Sequence, residues 1–204
     1  MKITCVRNGP YVLSKGNVAL QREDGTPFDA TGGAALCRCG GSAKKPFCDG
    51  THSRNGFSDR NESEGRSERR VAYTGKAITI FDNRSICAHA GFCTDRLKSV
   101  FRMEAEPWIH PDAASVDEIV ATIAKCPSGA LSYARDGIEA PPPARAPAIT
   151  VVNDGPYAVT GSVELDAAFG EGASLEHYTL CRCGGSKSKP FCDGTHWHIG
   201  FKDS

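Results

Sequence analysis

Two stretches of the chain carry residues that bind soft metals, and they are nearly the same stretch. Residues 37–52 read CRCGGSAKKPFCDGTH, and residues 181–196 read CRCGGSKSKPFCDGTH. Each offers three thiols and one imidazole at the spacing C-x-C-x8-C-x3-H: Cys37, Cys39, Cys48 and His52, then Cys181, Cys183, Cys192 and His196. Thiolate suits zinc and iron–sulfur clusters, and imidazole suits both. Two thiols one residue apart can grip one iron of a two-iron cluster while the later Cys–His pair grips the other. The Gly-Gly and Pro between them fit a backbone that must approach inorganic sulfide closely. Asp49 and Asp193 follow the third cysteine and are expected to cap a helix opening at Gly-Thr-His, turning backbone N–H groups toward an anionic cluster. A third group of thiols, Cys87, Cys93 and Cys126, lies between the two stretches, so nine of the ten cysteines form three sets of three. Cys5 is left over.

The pattern C-x-C-x2-S-x3-P-x-C-D-G-T-H resembles the CDGSH iron–sulfur domain family of the mitoNEET type. The resemblance implies a 2Fe–2S cluster in each copy, held by three cysteines and one histidine, with the histidine on the iron nearer solvent. A structural Cys3His zinc site is the alternative, although zinc sites more often space the first pair C-x2-C. Disulfides are disfavoured in a chain without a secretory signal.

Between the two copies the sequence resembles a divergent single-cluster ferredoxin domain. The residues that carry this are Cys87-Ala-His-Ala-Gly-Phe-Cys93 and the Cys126-Pro-Ser-Gly-Ala-Leu run. A bacterial ferredoxin uses C-x2-C-x2-C plus a distant Cys-Pro. Here the middle cysteine of the run is Ala90, so three thiolates remain. They fit a 3Fe–4S cluster, or a 4Fe–4S cluster completed by His89 or a small molecule. Buried cysteines without a cluster are the alternative, and His89 can equally bond the loop backbone.

The elements that must hold these groups are short. ITCVRNGPYVLSKGNVAL opens the first copy, and ITVVNDGPYAVTGSVEL opens the second at Ile149. Both read as strands around Asn/Asp-Gly-Pro turns. The duplication therefore spans a domain of about sixty residues, too small to stabilise itself well alone. Cys5 aligns with Val151 and is expected to pack in a core. The middle unit reads as strand AITIFDN, helical TDRLKSVF, a turn at Glu106-Pro-Trp-Ile-His-Pro, and a second helix. Ser115 and Glu118 form a capping box for that helix, whose apolar face carries Val116, Ile119, Val120 and Ile123. A strand over Ala130–Arg135 closes the unit. The expected domains are 1–58, 71–138 and 149–204. Residues 58–70 read as a solvated charged linker and 139–148 as a stiff polyproline spacer.

The fold class expected is α+β: two small β-rich CDGSH domains pairing as an intramolecular pseudo-dimer, plus a small α+β ferredoxin-like domain. In mitoNEET-type dimers a lysine after the turn reaches the partner's cluster histidine. Here Tyr11 and Tyr157 stand in its place. They are expected as cofactor-binding residues, Tyr11 near His196 and Tyr157 near His52, unless both simply pack in the β-cap.

Lysine plus arginine balances aspartate plus glutamate, 24 against 24. A balanced surface argues against nucleic-acid or membrane partners. The start MKITCV runs straight into strand alternation, with no apolar h-region or transit segment, so a cytoplasmic protein without the membrane anchor of its mitoNEET-type relatives is expected. No catalytic constellation or nucleotide fingerprint is present, and no enzyme activity is expected. The reading is a monomeric one-electron carrier with internal pseudo-twofold symmetry, serving an unidentified redox partner protein. Cluster storage, transfer or redox and pH sensing is the second reading, and a zinc-stabilised interaction module the third.

Overall fold

The structure is a computed structural model that describes residues 1–16, 18–63, 70–169 and 173–203. Residues 64–69 of the expected linker and Ser204 lie outside the described residues. The first repeat supplies β1 (Lys2–Cys5), β2 (Tyr11–Leu13), β3 (Ala19–Arg22) and β4 (Ala34–Leu36). The middle unit runs β5 (Val71–Thr74), β6 (Thr79–Asp82), α1 (Phe92–Arg96), α2 (Val116–Ile123), β7 (Leu131–Arg135) and β8 (Ile138–Glu139). The second repeat adds β9 (Ala148–Val151), β10 (Tyr157–Thr160), β11 (Glu164–Asp166), β12 (His177–Leu180) and α3 (Thr195–His198). Among the described residues no helix is long and apolar enough to cross a membrane.

Turn chemistry starts each repeat. Asn8 and Asp154 sit at φ 48° and 51°, a left-handed conformation that Asn and Asp tolerate best after glycine. Gly9 and Gly155 donate back to Val6 and Val152 at 2.9 and 3.1 Å, so β1–β2 and β9–β10 fold into hairpins. The sheets then run β11-β1-β2-β4 and β12-β10-β9-β3. Each takes three antiparallel strands from one repeat and a fourth, parallel strand from the other. Ile3 lies opposite Leu165 and Leu20 opposite Ile149. The apolar faces join in one core in which Ile3, Tyr11, Leu13 and Leu20 pack with Ile149, Tyr157, Val159 and Leu180. Tyr11 and Tyr157 meet edge to face with ring centroids 6.0 Å apart. Each such side chain contributes about 1.5–3 kcal/mol when buried, and neither repeat owns enough of them alone. Cys5 packs against this core, opposite Tyr11 as Val151 is opposite Tyr157.

The middle unit is an antiparallel sheet, β5-β6-β7-β8. Its core gathers Ile78, Ile80, Phe101, Ile109, Ile119 and Leu131. The capping box is present: Ser115 Oγ accepts from Glu118 N–H, and Glu118 Oε2 accepts from Ser115 N–H at 3.0 Å. Two expectations need correction. The unit begins at residue 71 as expected, but its first strand is β5 and not AITIFDN; the largely exposed edge position of β5 leaves no hydrophobic alternation to read. The helix expected over TDRLKSVF starts at Phe92 and stops at Arg96. Val100 and Phe101 are then both fully buried from non-helical backbone, with Phe101 bridged to Ile109.

The stretch 139–148 is largely exposed, as a spacer would be, and this strap is tethered on both sides. Arg145 donates through Nη2 to the Ala124 carbonyl at the end of α2, 2.7 Å, and through its backbone N–H to Glu176, 3.1 Å. Thr160 Oγ1 donates to the Ala146 carbonyl. Beside the strap, His177 of β12 is 4% exposed, touches Ser174 Oγ through Nδ1 at 3.1 Å and lies beside the Cys126 backbone. At the described end of the first linker, Glu62 N–H donates to the Lys187 carbonyl and Ser63 is buried. The middle unit is thereby held against the second repeat.

Burial, followed by the nearby Arg145 charge, pushes the His177 pKa down to about 4. The unfolded chain protonates this residue near 6.5, so between those values it binds a proton that the folded chain refuses. Stability must therefore fall as pH drops from about 6.5 to 4, by roughly 2 kcal/mol from this residue. In denaturant unfolding at stepped pH, the stability advantage of the parent over His177→Gln should narrow across that window. A constant difference would show that His177 is not held neutral at this interface.

Candidate metal centres

Each repeat ends its strand β4 or β12 directly in a ligand cysteine, so the sheet aims the loop. Cys37 N–H donates to the Pro46 carbonyl and Cys181 N–H to the Pro190 carbonyl, 2.7 and 2.8 Å, closing each loop into a ring. Within it the donors form two pairs. Cys37 and Cys39 Sγ are 3.9 Å apart, and Cys48 Sγ is 3.3 Å from His52 Nδ1. In the second loop the Cys181–Cys183 and Cys192–His196 separations are 3.8 and 3.4 Å. Two sulfurs on one tetrahedral metal at the usual bond length lie about 3.8 Å apart, so each pair is spaced to share one metal. Among the described residues no three His, Cys, Asp or Glu side chains gather as a site for a metal ion.

The electrostatics fit an anionic metal cluster. Burial pushes the Cys37 and Cys192 thiols up, so a bare thiolate is disfavoured and a metal must displace the proton. Backbone N–H groups point at sulfur, from Gly185 to Cys183 and from Gly50 to Cys48, both at 3.4 Å.

Tyr11 and Tyr157 both cross. Tyr11 Oη donates to the Cys181 and Pro190 carbonyls at 3.0 and 2.9 Å, and Tyr157 Oη to the Cys37 and Pro46 carbonyls at 2.9 and 3.0 Å. The hydroxyls end on the backbone of the opposite loop, whereas the expected neighbours were its histidines. The loops also touch back to back. A Cβ on Gly184 would come within 2.6 Å of the Cys39 carbonyl oxygen, and one on Gly40 would overlap that of Cys183. These glycines are required by the other loop, where the sequence pattern alone pointed to sulfide.

The expected aspartate caps are displaced. Gly50 and Gly194, left-handed at φ 84° and 82°, precede the helical turns and supply no side-chain cap. Asp49 and Asp193 instead accept from the N–H groups of Thr51 and Ala43, and of Thr195 and Lys187, at 2.9–3.0 Å. The Thr51 hydroxyl bond and these amides hold Asp49 well below the usual carboxylate range. Burial works against Asp193, and its Thr195 and Lys187 bonds still keep it low. Both carboxylates are thus engaged by their own loop.

The residue between the paired cysteines matters more than its place in the motif suggests. Arg182 is buried, donates to the Gly155 and Val152 carbonyls at 2.8 and 2.6 Å, and pairs with Asp203. Arg38 reaches the Val6 carbonyl and Asp59 at 3.3 and 3.2 Å. A signal for this exists in the sequence: Gly-Phe-x-Asp recurs at residues 56–59 and 200–203.

The third site is a cavity of about 780 Å³ shared by Cys87, Cys93 and Cys126, with His89, Arg84 and Trp108 in its wall. Burial pushes the Cys87 thiol up to about 12. Arg102 Nε, buried without a hydrogen-bond partner, belongs to the same lining. Three half-buried thiols lining one cavity with a cation that has an unused donor fit an anionic cluster. The environments of the paired histidines differ, since His196 is 5% exposed and His52 only half-buried.

Residues 8–53 and 154–197 match the family described as "Iron-binding zinc finger CDGSH type", and residues 73–136 match "Divergent 4Fe-4S mono-cluster". Among curated proteins the chain is similar to "Uncharacterized protein YjdI" of Escherichia coli strain K12 and of Escherichia coli O157:H7. Each is 43% identical over 61 residues, which cover 30% of this chain and 80% of the relative. No solved structure matches the chain.

Removing one tyrosine hydroxyl tests the crossing. Tyr11→Phe leaves the Cys181 and Pro190 carbonyls without that donor, at a cost of roughly 1–3 kcal/mol. In hydrogen exchange the amides of Cys181 and Phe191 should lose protection while those of Cys37 and Phe47 keep theirs. Deprotection of the first loop instead would mean that Tyr11 supports its own repeat.

Proposed function

Since the chain belongs to the CDGSH iron-binding family and carries a divergent 4Fe–4S mono-cluster domain between its two copies, we propose that it is a non-enzymatic one-electron carrier with three iron–sulfur sites. Two 2Fe–2S clusters are held by Cys37, Cys39, Cys48 and His52, and by Cys181, Cys183, Cys192 and His196. A cubane-type cluster is held by Cys87, Cys93 and Cys126. The observation that carries the reading is the division of each repeated loop's donors into two pairs, 3.9 and 3.3 Å and then 3.8 and 3.4 Å across. The domains are 1–58, 71–138 and 149–204. The outer two act as an intramolecular pseudo-dimer, supported by the exchanged strands β3 and β11.

Such clusters supply one-electron redox chemistry. The protein's part is to set charge, ligation and exposure. Three thiolates and a neutral imidazole leave one negative charge fewer than four thiolates, which eases the addition of an electron, as histidine does in Rieske centres. His52 and His196 turn Nδ1 toward the cysteine beside them and act as the one neutral ligand of each loop. In the middle site three thiolates leave one corner of a 4Fe–4S cluster without a cysteine. The expected partner is a redox protein, the compartment the cytoplasm, and the chain a monomer.

Cluster delivery is the second reading, favoured by the half-exposed His52. It places release at the imidazole that solvent reaches more readily. Anaerobically purified protein should contain about eight irons per chain, the sum of two two-iron clusters and one four-iron cluster, and negligible zinc. Iron near four, with no cubane signal in electron paramagnetic resonance, would remove the middle site; zinc in place of iron would remove the carrier altogether. Incubation with an apo-ferredoxin separates the two readings: a carrier keeps its iron, and a delivery protein gives it up. His196→Cys should lower that cluster's reduction potential and make it more resistant to acid, because a neutral ligand becomes anionic.

A further inference from the structure

The repeated loops differ at one pair of equivalent glycines. Gly50 and Gly194 share the same left-handed backbone, φ 84° and 82°. Among the described residues, a methyl group on Gly50 would meet nothing within 4 Å. One on Gly194 would strike the ring of His89, 2.7 Å from its Cδ2 and 2.9 Å from its Cβ and Cγ. His89 stands two residues after Cys87 and lines the cavity of the three middle thiols. Its imidazole, still exposed to solvent on one side, therefore lies against both that cavity and the Cys192–His196 segment. The other thiol segment of the middle unit docks on the same repeat. Three residues after Cys126, a Cβ on Gly129 would lie 2.7 Å from Ser174 Cβ and 3.1 Å from the His177 carbonyl oxygen.

Electron tunnelling falls off exponentially with separation and is favoured where packed atoms fill the gap. We propose that the site of Cys87, Cys93 and Cys126 and the site of Cys181, Cys183, Cys192 and His196 form an electron-transfer pair positioned by the packing of His89 on Gly194. The first-repeat site is then the outer member, reached through the back-to-back contact of Cys39 and Cys183 with Gly184 and Gly40. One electron leaves the reduced middle site and enters the oxidised second-repeat site, and no covalent bond is made or broken. An external one-electron reductant supplies it. The proposal rests on the three-site reading above. His89 serves in it as a positioning residue.

The test uses the full, iron-replete chain reduced anaerobically by photoexcited deazaflavin. Electron paramagnetic resonance should show the middle centre's spin broadening one of the two two-iron signals and speeding its relaxation. His196→Cys should shift the affected signal and His52→Cys the unaffected one. Gly194→Ala should weaken the interaction and slow electron transfer between the two sites severalfold. Gly137→Ala, which imposes left-handed strain at φ 75° in the β7–β8 turn with nothing within 4 Å of the added methyl, should leave both unchanged. The proposal is overturned if the broadened signal moves with His52→Cys, or if both glycine variants behave alike. The signal assignment needs neither glycine variant, so the pairing stands or falls even where Gly194→Ala misfolds. Iron near four per chain removes the three-site reading itself, whereas iron near eight with the wrong signal broadened removes only the pairing.

Discussion

Burying a phenol costs free energy unless its hydroxyl finds an acceptor, and Tyr11 and Tyr157 are both fully buried. Their rings form the middle of the core shared by the repeats, and their hydroxyls end on carbonyls of the opposite metal loop. Core packing and loop position are therefore one constraint. The rings can meet edge to face only while β2 and β10 lie in register with their hairpin partners. The hydroxyls are satisfied only while each ring of loop backbone, Cys37 to Pro46 or Cys181 to Pro190, stays closed. The exchange of β3 and β11 supplies the remaining apolar cover. The contact between Gly40 and Gly184 and the opposite loops follows from drawing both loops onto the same core.

Covalent linkage of two similar repeats also permits what two identical subunits cannot do. A symmetric pair must present both metal loops in the same surroundings. Here a single middle unit lies between the copies in the chain, and its His89, Cys126 and strap residues all bear on the second repeat. His196 is consequently buried where His52 is not. Solvent exposure and nearby dipoles set the potential of an iron–sulfur centre. Nearly identical ligand loops are thus given different electrostatics by their neighbours.

What the sequence disclosed was local. Ligand spacing, the Asn/Asp-Gly-Pro turns and the Ser115–Glu118 box each depend on residues a few positions apart, and each is present in the structure. Alternation in ITCV or VEL states which face of a strand is buried, but not which strand lies beside it. The parallel partnership of Lys2–Thr4 with Glu164–Asp166 was therefore not legible. Edge strand β5 buries too little to leave a pattern. The caps were misassigned because Asp followed by Gly serves a loop-closing turn as readily as a helix start. Docking of the middle unit depends on His177, Arg145 and Gly194, three separated residues that no local pattern unites.

The arginine inside each C-x-C pair extends the asymmetry to rigidity. Arg182 has two backbone acceptors at 2.8 and 2.6 Å and a carboxylate partner, so its burial is fully compensated. Arg38 also has a carboxylate partner, Asp59 at 3.2 Å, but reaches one backbone acceptor, at 3.3 Å, and its Nε is buried without a hydrogen-bond partner among the described residues. A buried donor left unsatisfied costs about 1–3 kcal/mol, which comes off the stability of the backbone between Cys37 and Cys39. The first loop is thus the more weakly braced as well as the more exposed. A cluster held there meets solvent through His52 and rests on a less rigid C-x-C segment, while the second is covered by the middle unit and pinned from behind by Arg182.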